Sequence, residues 1–456
     1  MSQVPVQDAA LVPGRLVESL TSPTSPAQRY AVYVPSSYRA DRPAPLVILM
    51  DPRGRARVPA DLFIPAAERF GYLLVSSYNT ASDGPIEPTL DALQVMWNDM
   101  HARFAIDSRR VYLAGFSGTA RLATLTALRL PGRVAGIVAA GAGYAPDLPP
   151  TRAQDFLYYG AVGDLDFNFF EMQQLEDTLA DLDVPHRFTV FPGGHTWMPE
   201  AVTRQAMEWL ELHAMRTGTR ARDDALIDEW WQRDLAAADT LVAAGRQLDA
   251  SRLLAAMRRD YAGLRETATV AAHSRELAAT PAARRQARDR TAEFQRTTRF
   301  MAEAMQALAD GFPPGSGSAV RTASAVSAEL GLARLRKEAE ATSTEAGRAA
   351  RRLLTNLSTQ VAFYLPQQAA ADGEFARAAF YLALSTDINP TSPAAWYQLA
   401  AMEARAGERR AAVSSLDRAV DHGFRDRNRA LADPAFAAIR SDEAFARVLA
   451  RMGGLR

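Results

Sequence analysis

Short apolar runs punctuate the first half of the chain, separated by stretches whose apolar positions recur at helical spacing. Ala44–Met50 (APLVILM) and Val134–Gly141 (VAGIVAAG) carry no charged residue on either face, as a parallel strand covered on both sides requires. The run Val111–Ala114 predicts a further strand, and Asp155–Gly160 and His186–Phe191 two more. Between the last two, Phe169 to Leu182 has the polar–apolar alternation of a surface helix. From about Asp223 strand-like runs vanish, and alanine-, arginine- and leucine-rich segments with helical spacing take over. This half is predicted to be all-helical over 223–456, with one break at Gly311–Ser318 (GFPPGSGS) that a helix cannot cross.

The strand Val111–Ala114 runs directly into Gly115-Phe116-Ser117-Gly118-Thr119, and Ala120-Arg121-Leu122-Ala123 begins a helix. A serine on a sharp strand-to-helix turn is a candidate nucleophile. Small neighbours let the backbone turn tightly, and the first helical amides point at charge developing on a substrate carbonyl. Thr119 stands where a last glycine is expected. Such a nucleophile needs a base and an orienting carboxylate, in the order Ser, Asp, His. His195, in the glycine-flanked loop Pro192–Trp197 after the last strand, is the candidate base. The other five histidines fall on predicted helices or open a strand and read as structural. Asp166 is the candidate acid, with Asp164 on the same loop as the alternative. For the oxyanion, Pro52 has no N–H, so the backbone amides of Arg53 and Gly118 are the candidates. Asp51 either braces that loop or disfavours anionic substrates. Trp197 either lines the mouth of the site or packs beneath it.

Residues from about Gln28 to Thr217 resemble the α/β-hydrolase superfamily, in the esterase group that includes polyhydroxyalkanoate depolymerase-like and feruloyl-esterase-like enzymes. The likeness rests on RYAVYVPSSY (Arg29–Tyr38), PLVILMDPRGR (Pro45–Arg55), IDSRRVYLAGFSG (Ile106–Gly118), GDLDFN (Gly163–Asn168) and FPGGHTW (Phe191–Trp197). It implies an α/β catalytic domain over 28–217 with a doubly wound, mostly parallel sheet, preceded by an N-terminal extension or first strand over 1–27. It also implies acyl transfer through a covalent serine ester on a small-molecule or polymeric ester, with no metal or organic cofactor. Short-chain, aromatic and polyester esters all stay open as substrates. A peptidase or amidase on the same residues is the enzymatic alternative. An inactive hydrolase-fold scaffold acting through its helices is the alternative of another class.

Composition narrows the partners. Across 456 residues 52 basic side chains balance 52 acidic ones, so no global field calls for nucleic acid. Cysteine is absent, which removes disulfides and thiolate chemistry together. No apolar stretch reaches membrane-spanning length. Residues Met1–Pro5 lack the basic and apolar regions of a signal peptide, and the compartment stays open between export and cytoplasm. In the helical half, Gly373-Glu374 with Ala378 recurs as Gly407-Glu408 with Ala412. That spacing resembles the tetratricopeptide repeat, with units at about 360–390 and 393–424 and a capping segment at Asp433–Leu449. The resemblance implies a surface for protein binding or self-association.

Overall fold

The computed structural model describes residues 11–145, 147–313 and 315–452. Residues 1–10 of the expected N-terminal extension, and Pro314 of the expected break, lie outside them. Two compact units divide the chain, residues 1–290 and 291–456.

The first unit is built on one eight-stranded sheet. Its strands are β1 (Leu16–Thr21), β2 (Arg29–Tyr33), β3 (Ala44–Met50), β4 (Leu73–Ser77), β5 (Ile106–Phe116), β6 (Gly136–Ala140), β7 (Leu157–Gly163) and β8 (His186–Phe191), in the order β1-β2-β4-β3-β5-β6-β7-β8. β1, β2 and β4 pair antiparallel, and every pair from β4 to β8 is parallel. This is the doubly wound, mostly parallel sheet of the α/β-hydrolase fold. Every residue of β3, β4 and β6 is buried, which is why β3 and β6 are apolar without alternation and β4 carries no charge.

Helices α1 (Arg57–Phe70) and α5 (Glu200–Arg216) pack together on one face, where Phe63, Met207 and Leu210 meet Val47, Tyr112 and Tyr159 in a single core. α2 (Glu87–Arg103), α3 (Gly118–Arg129) and α4 (Phe169–Asp181) take no part in that core and cover the other face. The connection from β3 to β4 crosses one face of the sheet, and the helical connections after β4 cross the other, so the strand order reverses at β3 and the ends of β5, β7 and β8 carry loops.

Helices α6 (Asp224–Ala243), α7 (Gln247–Asp260) and α8 (Ala268–Ala279) follow. Ile227, Trp230, Leu254, Met257 and Val270 share an apolar core with Leu212 and Met215 of α5. This shared core carries the first unit well past the last strand, as far as Arg290. Trp230 is buried with its ring 6.1 Å from that of Phe70, and Trp231 lies 5.0 Å from Tyr261. The long α9 (Pro281–Gly311) runs across the boundary between the units.

The second unit is helical throughout: α10 (Ala323–Glu329), α11 (Leu332–Ala339), α12 (Glu345–Thr359), α13 (Leu365–Ala371), α14 (Phe375–Ile388), α15 (Pro393–Arg405), α16 (Arg409–Asp421), α17 (Arg427–Ala432) and α18 (Glu443–Met452). Gly373 and Gly407 take φ of 78° and 85° at the turns before α14 and α16, a region a side chain strains to reach. Ala378 and Ala412, five residues on, are fully buried. Among the described residues no helix is long and apolar enough to cross a membrane.

One carboxyl in this unit is out of place. Burial above all raises the Glu403 pKa to about 7, with Glu408 adding to it and a hydrogen bond from Ser415 opposing, and Glu403 Oε2 is buried without a partner. A folded pKa above the unfolded value means the folded chain holds the extra proton, so stability falls as pH rises from about 4.5 to 7. Glu403→Gln is expected to match the wild type near pH 4 and to exceed it at pH 8 by about 2 kcal/mol, partial exposure allowed for. Urea unfolding of the full chain at the two pH values measures this.

Candidate active site

β5 ends in the middle of the sheet between β3 and β6, and α3 starts two residues later. The residue between them, Ser117, has φ 55° and ψ −130°, a region that costs a side-chain-bearing residue of order 1–3 kcal/mol. Neighbours hold it there. Its amide donates to the Ala140 carbonyl at 2.8 Å, and its carbonyl accepts from the Ala120 amide at 2.9 Å. Gly115 permits the turn, because a Cβ there would fall 2.5 Å from the Thr119 carbonyl. Thr119 is fully buried, its hydroxyl 2.7 Å from the Met50 carbonyl at the end of β3 and 2.8 Å from that of Phe116. The same oxygen accepts from the Phe116 amide at 3.1 Å. The branched side chain thus ties two neighbouring strand ends at the turn, which a glycine has no group to do.

His195 reaches this turn from the loop after β8. Its Nε2 lies 2.8 Å from Ser117 Oγ, and its Nδ1 lies 2.9 Å from both oxygens of Asp166. A carboxylate only accepts, so Nδ1 carries the proton and Nε2 is free to accept from the serine hydroxyl. Asp166 is completely buried and also accepts from the Asn168 amide at 2.8 Å. The imidazole, 19% exposed, lies against Phe116 and Phe167, with ring centroids 4.6 and 4.1 Å away. Gly141 borders its edge, where a Cβ would sit 3.2 Å from His195 Cε1 and 3.0 Å from Asp166 Oδ2.

Asp164 is directed elsewhere. Its Oδ1 accepts from the Gly193 amide at 2.9 Å, and its own amide donates to the Phe191 carbonyl. The structure therefore brings Asp166 to the imidazole and uses Asp164 to brace the loop that carries it.

The loop after β3 is organised by Asp51, whose side chain is fully buried. Its Oδ1 accepts from the amides of Arg53 (2.9 Å) and Arg55 (3.2 Å), and its two oxygens receive Nε and a terminal nitrogen of Arg55, each at 2.9 Å. Oδ2 also accepts the indole N–H of Trp197 at 2.9 Å. Burial is the largest influence on this carboxyl and opposes its ionisation. The hydrogen bonds from Arg55, Trp197 and the two amides together hold it below the usual carboxylate range. Asp51 is thus the brace of this loop and links it to the His195 loop.

The Asp51 carboxylate engages both the Arg53 amide and Trp197. The Arg53 amide, expected to face the oxyanion, donates to Asp51. Trp197 is buried, ring to ring with Phe63 at 6.4 Å and Phe116 at 5.8 Å, which is its packing role and not a place at the mouth. The Gly118 amide lies in the first turn of α3, where N–H groups lack partners within the helix. A Cβ on Gly118 would come 2.4 Å from that of Ser82.

Removing the Asp51 carboxylate strands a buried indole donor and two loop amides. Asp51→Ala is expected to cost about 3 kcal/mol of stability, read as a lowered denaturation midpoint in urea. A cost under about 0.5 kcal/mol, the usual size for a surface change, would remove the brace.

Sequence reasoning missed the parts played by Thr119, Phe167 and Gly141; of its two readings of Asp51, the brace is the one these contacts match. The signal for Asp51 was a charged residue directly after a seven-residue apolar strand. Among the described residues no group of three or more histidine or carboxylate side chains is arranged to hold a metal ion.

No family model matches the sequence, and no curated protein matches it. Solved structures with a similar fold include a fluorophosphonate-binding serine hydrolase of Staphylococcus aureus, 16% identical over 44% of this chain and 99% of that one, with a TM-score of 0.36. A ferulic acid esterase is 17% identical over 43% of this chain and 97% of that one, with a TM-score of 0.35. A hyperthermophilic esterase of the archaeon Pyrobaculum calidifontis is 16% identical over 45% and 87%, with a TM-score of 0.36. The fold assignment rests on this chain's own strand order.

Proposed function

We propose that this chain is a serine hydrolase that cleaves carboxylic esters through an acyl-enzyme. The observation that carries the reading is the relay from Asp166 through His195 to a hydroxyl on a strained turn, with contacts of 2.9 and 2.8 Å. In this mechanism Ser117 Oγ attacks the ester carbonyl carbon as its proton passes to His195 Nε2. The carbonyl π-electrons move to the oxygen, which the Gly118 amide stabilises. The tetrahedral intermediate then collapses, the C–O bond to the alcohol breaks, and Nε2 returns the proton to the departing oxygen. Water, deprotonated by the same nitrogen, releases the acid and restores the serine. Asp166 holds the imidazole in the tautomer that can accept and stabilises the imidazolium.

We keep the Arg53 amide as the second oxyanion donor. Serving there requires it to exchange Asp51 Oδ1 for the substrate oxygen, so on this reading the hole is completed as substrate binds. An ester suits the site because an alkoxide leaving group asks less of the general acid than an amine does. The helical second unit, with its repeat-like glycine and alanine positions, is assigned to protein binding or self-association.

A fluorophosphonate probe tests the assignment directly. Mass spectrometry is expected to find one phosphonyl adduct per chain, on Ser117. Labelling at another serine would overturn the reading.

A further inference from the structure

A second concavity lies along β8. It is a cleft of about 590 Å³, enclosed by β8, α4, α6, α7 and the first turns of α9, a volume within the range of small-molecule sites. Tyr159, Trp209 and Trp230 line it together with several arginines. None of Ser117, Asp166 and His195 does. His186, one of its lining residues, opens β8, about 17 Å of strand from the end that leads to His195.

The arginines around the cleft are unequally compensated. Arg187 pairs with Asp234 at 2.9 Å, and Arg252 pairs with Glu176 at 3.0 Å and Asp177 at 2.7 Å. Arg290 reaches the same two carboxylates only at 3.9 Å. Arg259 has no carboxylate within ion-pair distance among the described residues. Its guanidinium donates to His186 Nε2 at 3.1 Å, and its Nε–H is buried without a partner. His186 cannot supply the missing charge. Its Nδ1 is 2.7 Å from the Val184 carbonyl and so carries the proton, leaving Nε2 as a neutral acceptor.

Titration shifts agree with this geometry. Burial first, then the Arg259 charge, lowers the His186 pKa to about 4. Burial is also the largest influence holding Arg259 and Arg290 below the usual arginine range, and it pushes the Glu176 carboxyl up. Asp260 and Glu176 act on Arg259 from beyond ion-pair distance and only partly offset its burial; a desolvated cation so weakly paired is costly, and here it borders a cavity that can admit an anion. Trp230, another lining residue, also has a buried indole N–H without a partner.

We propose that this cleft binds a small organic anion, a phosphate monoester or carboxylate on an aromatic body. The anion compensates Arg259, with Arg290 lining the same cleft, and guanidinium forks suit both oxyanions. The aromatic body packs against Trp209 and Trp230. The site is separate from Ser117 and does not depend on the ester-hydrolase reading.

Calorimetric titration of the full chain tests it, with phenyl phosphate and benzoate as probes and inorganic phosphate and benzyl alcohol as comparisons. Either aromatic anion is expected to bind saturably, one per chain, equally well to the wild type and to Ser117→Ala. Affinity is expected to fall by about tenfold or more in Arg259→Gln and to weaken in Arg290→Gln. Without ligand, Arg259→Gln is expected to be no less stable than the wild type. Should it fail to fold, that stability expectation fails with it, and Arg290→Gln carries the binding comparison. The proposal is overturned by the absence of saturable binding, by binding undiminished in the arginine variants, or by binding lost in Ser117→Ala. Inorganic phosphate or benzyl alcohol binding as tightly as the aromatic anions would overturn the assignment of an organic anion.

Discussion

Ser117→Ala is expected to lower kcat on p-nitrophenyl esters by on the order of 10⁵-fold or more, the largest effect of any single substitution in this chain. In the proposed mechanism its Oγ is the atom that bonds to the acyl carbon, and alanine has no group to take its place on the turn. Gly118, the proposed oxyanion donor, would contribute through its backbone and survives the substitution, so some catalysis over the solvent reaction is expected to persist. Rapid mixing separates the two contributions. The wild type is expected to release a burst of about one p-nitrophenol per chain as the acyl-enzyme forms, and the variant none. Equal turnover in the two proteins would eliminate the enzyme reading and leave the scaffold.

The second large effect concerns the two carboxylates of one loop. Asp166→Ala is expected to lower kcat by about 10⁴-fold, because without the acceptor at Nδ1 the imidazole is no longer held in the tautomer that accepts from Ser117. Asp164→Ala removes the bond to the Gly193 amide and leaves the imidazole its carboxylate, and a loss of about tenfold or less is expected from a loosened loop. The variants are compared by kcat and KM on one ester, with circular dichroism to check folding. Wild-type turnover in Asp166→Ala, or a larger loss in Asp164→Ala, would reverse the assignment.

Much of this was legible in the sequence because it is local. A strand covered by helices on both faces must be apolar at every position, and β3 and β6 announce themselves that way. The turn at Ser117 is equally local: it needs small residues within a span of five, and Gly115 and Gly118 supply them. The order of Asp166 and His195 behind it followed from where the strands end.

Other features were not legible for reasons that are equally physical. Asp164 and Asp166 share a loop and a chemistry, and only the path of the chain past Gly193 decides which carboxylate meets the imidazole. Thr119 read as a departure from glycine, since nothing nearby in sequence showed that its hydroxyl would find the Met50 carbonyl, 69 residues away. Asp51 and Trp197 meet across 146 residues. The helices after Asp223 were recognisable from their period, but an amphipathic stripe does not name its partner. α6–α8 bury theirs with α5, whereas the later part of α9 and the helices after it make separate cores.

The sequence by itself determined the periods, the turns and the chemical inventory: a sheet of buried strands, a serine on a tight elbow, and an aspartate and a histidine after it in order. These depend on steric and hydrophobic preferences that act over a few residues. Which side chains meet was decided only by the tertiary structure, in the choice of Asp166 over Asp164, the Asp51 brace, and the Arg259 guanidinium that no carboxylate pairs directly beside its cleft. Such pairings join residues tens to more than a hundred positions apart, and they exist only because the whole sheet and its helices pack in one arrangement.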